Sequence, residues 1–182
     1  RAVPDKLVAD PDSWIIYVPF DSCDFRLGGS LLCDALGQNG DNFPEIGDAD
    51  YFIDCYEVVR EFIEDRIAMS AVTVCDGGLL TALKLMCSGD VGAEIDISGI
   101  KSAYGEDQNV RILFSEVPGA ILQIKDSDYD YVDAELLLQD IAYYPAGHPV
   151  VGTGEVNVKT CGSGIANILQ SLLGSQTSEG ED

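Results

Sequence analysis

The sequence predicts an α/β (α+β) domain, a mixed β-sheet with helices packed on it. Short apolar, β-rich runs such as "WIIYVPF" (14–20) and "SAVTVC" (70–75) recur along the chain, bounded by polar or turn-forming residues. Between them lie segments whose apolar residues repeat every three or four positions, so strands and helices interleave over the whole length. The 182 residues, 46 % of them hydrophobic, suffice for one sizeable core. Residues 14–174 are expected to form that domain, with 1–13 as a linker and 175–182 as a disordered acidic tail.

Each element has its own warrant. Trp14 to Phe20 reads as a buried strand. In "RLGGSLLCDALGQNG", Ser30 stands where it can cap a short helix ending near Gly37, and "QNGDNFPEIGD" (38–48) is a loop rich in turn formers. The strongest helix is "DADYFIDCYEVVREFIEDRIA". Its Phe52, Tyr56, Val59, Ile63 and Ile67 are expected to face the core, leaving Glu57, Arg60, Glu61 and Glu64 to solvent. "SAVTVC" is a strand, and "LLTALKLMCSG" a helix with Leu79, Leu83 and Met86 on one face and Gly89 closing it. "VGAEIDI" alternates like a half-buried strand, and the helical "QNVRILFSE" leads through Pro118-Gly119 into the strand "AILQI". "DSDYDYVDAELLLQD" opens with acids that complement a helix dipole and continues with Val132, Leu136 and Leu137. "AYYPAGHPVV" and "GEVNVKT" are late strands, and "SGIANILQSLLG" (163–174) is a terminal helix.

Charge and chemistry narrow the function. With 32 acidic against 10 basic residues, the formal net charge is −22, which repels phosphate backbones and anionic lipid. Neither nucleic acid nor a membrane is an expected partner; solubility, or neutralisation by basic protein surfaces, is. Cys23, Cys33, Cys55, Cys75, Cys87 and Cys161 form no CxxC pair, and His148 is the only histidine, so no metal site is expected. The cysteines indicate a reducing, cytoplasmic compartment. His148 lies in "AGHPV" without a G-x-S-x-G elbow elsewhere and reads as an ordinary strand-end residue. No Walker loop is present, and "GTGEVN" and "GSGIAN" lack the third glycine of a dinucleotide fingerprint. Asp126, Asp128 and Asp130 alternate as in a calcium loop, but Tyr131 and Leu137 occupy the positions that need glycine and glutamate.

One junction stands out. In "AVTVCDGGLLTALKLM" an apolar strand runs into a helix through Asp76, Gly77 and Gly78. Glycines at a helix start leave backbone N–H groups open to close approach, and the helix dipole favours an anion there without any lysine or arginine. Asp76 would orient the loop or accept from sugar hydroxyls. The other reading is a tight turn with Asp76 as N-cap.

Four pieces of the chain, in order, carry a resemblance: "RLGGSLLCDALGQ" (26–38), "DGGLLTALKLMCSGDVGAEIDI" (76–97), "LFSEVPGAILQI" (113–124) and the late strands leading to "GHPV". The chain resembles the C-terminal half-domain shared by aminoimidazole ribonucleotide synthase and phosphoribosylformylglycinamidine synthase, and most closely the second such half-domain of the large form of the latter. The carbamoyl- and selenium-handling branches of the superfamily fit "LFSEVPGAILQI" less well. The resemblance implies a partly ferredoxin-like fold and an ATP-dependent C–N ligase with glutamine as nitrogen donor. It also implies partners: an ATP-binding half-domain, a glutaminase domain and a ribonucleotide substrate. ATP and Mg2+ belong to the full-length enzyme, none is expected to bind this domain alone, and the isolated domain is expected to be inactive. The resemblance assigns Asp76, Gly77 and Gly78 to the substrate's ribose-phosphate end, with Arg26, Gly28, Gly29 and Ser30 near the same cleft. The family pattern has His-Asp-x-Ser before Asp-Gly-Gly where this chain has "VTVC" (72–75). That departure supports an alternative, a non-catalytic half-domain for docking and pseudo-symmetric packing.

Overall fold

The computed structural model describes residues 3–21, 25–37, 46–106 and 108–159. In chain order the first elements are β1 (Trp14–Pro19), α1 (Leu31–Ala35), α2 (Ala49–Glu64), β2 (Ala68–Val74), α3 (Gly78–Met86) and β3 (Val91–Ile95). They are followed by α4 (Ser98–Tyr104), α5 (Asn109–Phe114), β4 (Gly119–Ile124), α6 (Tyr129–Leu138), β5 (Tyr144–Val151) and β6 (Val156–Val158). The strands form one six-stranded sheet in the order β2-β4-β1-β5-β3-β6. Four pairings are antiparallel, and only β3 with β6 is parallel, so the sheet is mixed as expected.

The continuous apolar run of β1 follows from its central place, with both faces covered. Ile15 and Tyr17 enter one core cluster, Ile16 and Val18 the other. β4 is buried throughout for the same reason, with its Leu122 opposite Ile16 and its Ile121 opposite Tyr17. Helices α3, α4 and α5 close the first face with Leu79, Leu83, Met86, Ile100, Ile112 and Leu113. Helices α2 and α6 close the second with Cys55, Val58, Val59, Phe62, Val132 and Leu136.

Several local expectations are corrected. The buried stripe of α2 is Cys55, Val58, Val59 and Phe62, while Tyr56 is 53 % exposed and Phe52 and Ile63 are half-buried. The contact centres on the smaller Cys55 and Val58, so a reading weighted to bulky side chains is rotated from it. In α6 Leu137 is 75 % exposed, because it stands about 100° around the helix from the buried Leu136. Helix α3 ends at Met86 rather than at Gly89: Cys87 turns extended while its N–H still donates to the Leu83 and Lys84 carbonyls. Strand β3 does not alternate; even Gly92 is buried, under the main chain of Glu155. Helix α4 was not foreseen, since its only buried apolar residue, Ile100, makes no periodic signal.

Residues 3–13, expected as a linker, pack on the domain. Leu7 is buried and its N–H donates to the Met86 carbonyl at 2.8 Å. Gln123, fully buried in β4, holds the segment: its Oε1 accepts from the Val8 N–H and Ser70 Oγ, and its Nε2 donates to the Val8 carbonyl and Ser13 Oγ. Residues 38–45 of the expected loop, the helix at 163–174, the acidic tail, Cys23 and Cys161 lie outside the described residues. No helix among the described residues is long and apolar enough to cross a membrane.

Candidate functional site

Strand β2, at one edge of the sheet, delivers Cys75 and Asp76 to the surface and turns into α3 through Gly77 and Gly78, both left-handed at φ 86° and 73°. The glycines have a packing reason. A Cβ on Gly77 would lie 2.2 Å from Thr81 Oγ1, and one on Gly78 would lie 2.7 Å from the carbonyl carbon of Phe114 in α5. Gly77 is the N-cap residue, with no side-chain cap bond, so Asp76 does not cap α3.

Both glycine amides are engaged by the protein. The Gly78 N–H donates to the Cys75 carbonyl at 3.0 Å, closing the turn. The Gly77 N–H donates to Glu116 Oε1 at 2.8 Å, and the same oxygen accepts from the Leu31 N–H at 2.9 Å. Leu31 opens α1, directly after the "RLGGS" segment. In that segment Gly29 is left-handed at φ 68°, Gly28 is buried, and the buried Ser30 accepts from the Cys33 N–H at 3.2 Å. Arg26 takes part through its carbonyl, which accepts from Ser115 Oγ.

The two segments singled out from the sequence therefore meet, and they meet on Glu116. A half-buried carboxylate sits against two helix starts, where backbone donors and dipoles favour negative charge. Glu116 and Ser115 lie in "LFSEVPGAILQI" but carried no assigned role. An acid between a helix and Pro-Gly was the only sequence signal for them. Thr73 and Cys75, within the "VTVC" departure, are both exposed, with Oγ1 and Sγ 3.3 Å apart. Among the described residues no three His, Cys, Asp or Glu side chains are grouped to hold a metal ion.

No family model matches the chain. The chain is similar to one segment of phosphoribosylformylglycinamidine synthases. It is 29 % identical over 139 residues to the probable chloroplastic/mitochondrial phosphoribosylformylglycinamidine synthase of Arabidopsis thaliana, covering 76 % of this chain and 10 % of that protein. Against the human phosphoribosylformylglycinamidine synthase the identity is 26 % over 126 residues, covering 69 % and 9 %. The chain thus spans about a tenth of the length of these relatives. Among solved structures, Thermotoga maritima PurL complexed with FGAR matches with a TM-score of 0.64 at 17 % identity, covering 81 % of this chain and 25 % of that one. Thiamine-monophosphate kinase from Stenotrophomonas maltophilia matches with 0.55 at 19 % identity, covering 87 % and 53 %. Both structures speak to the fold alone. They bear out the sheet-and-helix architecture expected from the resemblance to the aminoimidazole ribonucleotide synthase-like superfamily.

Proposed function

We propose that the chain is a domain of a phosphoribosylformylglycinamidine synthase and serves there as a structural half-domain, for docking and pseudo-symmetric packing. The parent activity would be the ATP- and glutamine-dependent amidation of formylglycinamide ribonucleotide in purine synthesis. Similarity to the named synthases over 76 % and 69 % of the chain supports the enzyme. One observation carries the role: Glu116 Oε1 takes up the Leu31 and Gly77 amides at the place where a substrate phosphate would sit.

In this reading ATP and Mg2+ are not held by the described residues. Their glycine-pair amides are engaged, and no metal-binding group of side chains is present among them. In this proposal both belong to the ATP-binding half-domain of the parent enzyme, ammonia comes from its glutaminase domain, and the compartment is reducing, such as the cytoplasm. The free thiols of Cys33, Cys55, Cys75 and Cys87 support that compartment.

A second reading has one observation in its favour, the convergence of the "RLGGS" and Asp-Gly-Gly segments on a single point. In it, Asp76, Gly77, Gly78, Arg26, Gly28, Gly29 and Ser30 bind the substrate phosphate once Glu116 has been displaced. Amide 1H–15N spectra of the chain, titrated with formylglycinamide ribonucleotide and separately with inorganic phosphate, distinguish the two. The structural role expects the Leu31 and Gly77 resonances to stay in place. Saturable movement of both would overturn it in favour of phosphate binding.

A further inference from the structure

Helices cover the two faces of the sheet unequally. The core cluster under α2 and α6 contains residues of β1, β2 and β4 but none of β3, β5 or β6. On that side the β5-β3-β6 half of the sheet has no helix over it among the described residues, and a groove of about 750 Å3 opens there. Trp14 and His148 line it, their ring centroids 4.2 Å apart and their planes tilted by 50°, together with Val150 of β5. So do three carboxylates from separate elements: Asp12 ahead of β1, Glu94 in β3 and Asp126 just after β4.

The polar contacts orient this lining. His148 Nδ1 lies 2.8 Å from the Ser13 carbonyl oxygen, and Asp126 Oδ1 accepts from Trp14 Nε1 at 2.8 Å, so both rings are held in place. Glu94 already pairs with a cation, Lys159 Nζ at 3.3 Å from its Oε1. The carboxylates are not grouped as a metal site would need. They are spread along an open face of a chain that carries a net charge of −22.

We propose that this groove docks an arginine-bearing segment of a partner protein. A planar guanidinium can stack on one of these two rings while pairing with Glu94 or Asp126, which a compact ammonium does less well. Charge complementarity selects a basic partner, and the mixture of ring and carboxylate selects arginine within it. The proposal rests on the rings and carboxylates that line this groove and not on the enzyme assignment.

Trp14 is the only tryptophan in the chain, so its emission reports on the groove directly. The test titrates the full chain with a short glycine-serine peptide carrying several arginines, and with the same peptide carrying neutral citrulline instead. The arginine peptide is expected to give a saturable change in Trp14 emission and the citrulline peptide none. The Glu94→Gln/Asp126→Asn pair is expected to weaken binding about tenfold, two rim ion pairs being lost. An Asp54→Asn/Glu61→Gln pair on the outer surface of α2, with the same change in net charge, is expected to bind like wild type. Equal weakening by the two pairs would reduce the effect to general attraction and overturn the proposal. An equal response to citrulline would also overturn it, as would argininamide binding as tightly as the peptide, which would make the groove a small-cation site. So would concentration-dependent self-association that hides Trp14 without peptide, which would assign the face to a second copy.

Discussion

Removing the Glu116 carboxylate is the most direct perturbation of the site. One oxygen accepts at 2.8 Å from the Gly77 N–H and at 2.9 Å from the Leu31 N–H, tying the loop after α5 to the starts of α1 and α3. Hydrogen bonds to a charged group contribute about 1.5–3 kcal/mol each, and an anion at a helix N-terminus adds about 0.3–1 kcal/mol. Sharing one oxygen at a half-exposed position keeps the total near the low end. Glu116→Ala is therefore expected to cost about 3 kcal/mol. Removing one acid also relieves self-repulsion in a chain of net charge −22, a small effect of opposite sign. Glu116→Gln keeps an acceptor without the charge, and about 1 kcal/mol is expected. Urea unfolding followed by Trp14 emission measures both, with Glu61→Ala on the exposed side of α2 as a control expected within about 0.5 kcal/mol of wild type. If both Glu116 variants unfold within that margin, the carboxylate does not anchor the two helices and the argument against an open phosphate site fails.

Gly78→Ala is expected to cost about 2–4 kcal/mol and to lower the thermal midpoint markedly, because a left-handed residue would also press on α5 main chain. Gly89→Ala, whose Cβ would meet nothing within 4 Å, is expected to leave the midpoint nearly unchanged. Gln123→Leu is expected to cost about 3 kcal/mol by stranding buried partners on Val8, Ser13 and Ser70, and to speed tryptic cleavage at Lys6. Burial raises the Cys55 thiol to about 11 and the Tyr51 phenol to about 12, so folding favours their neutral forms. That contribution is complete below the unfolded thiol value of 9.0 and is lost as pH rises through about 11. It amounts to about 2 kcal/mol for the fully buried Cys55. Urea midpoints measured on either side of that window should fall with pH; a flat profile would contradict it.

How far the sequence could be read depended on how locally each feature is determined. β1 and β4 were legible because a strand buried on both faces is a short apolar run, and nothing distant has to be known to see it. The cap of α1 was legible because Ser30 bonds a residue only three positions away. The facing of α2 was not, since only the sheet beneath decides whether Cys55 or Tyr56 turns inward. The docking of residues 3–13 was hidden too, because Gln123 reaches Val8 across 115 positions and looks like a polar interruption in "AILQI".

The Asp-Gly-Gly junction shows why a motif alone underdetermines a site. An anion cradle and a tight packing turn require the same two properties of glycine, the absence of a Cβ and access to positive φ. Gly77 and Gly78 use both, at φ 86° and 73° and against Thr81 and Phe114, before any ligand is considered. The two uses differ in which acceptor lies nearest, and here it is Glu116, 39 positions from Gly77 and 85 from Leu31. A carboxylate held there by the fold acts at an effective concentration that free phosphate at millimolar levels does not match. A ribonucleotide could displace it only with binding energy from contacts outside this junction. The difference between a wild-type chain and Glu116→Ala in phosphate affinity therefore measures how strongly the internal carboxylate competes. A large gain in the variant would mean that Glu116 is what closes the site. No gain would mean that the glycine pair serves packing alone.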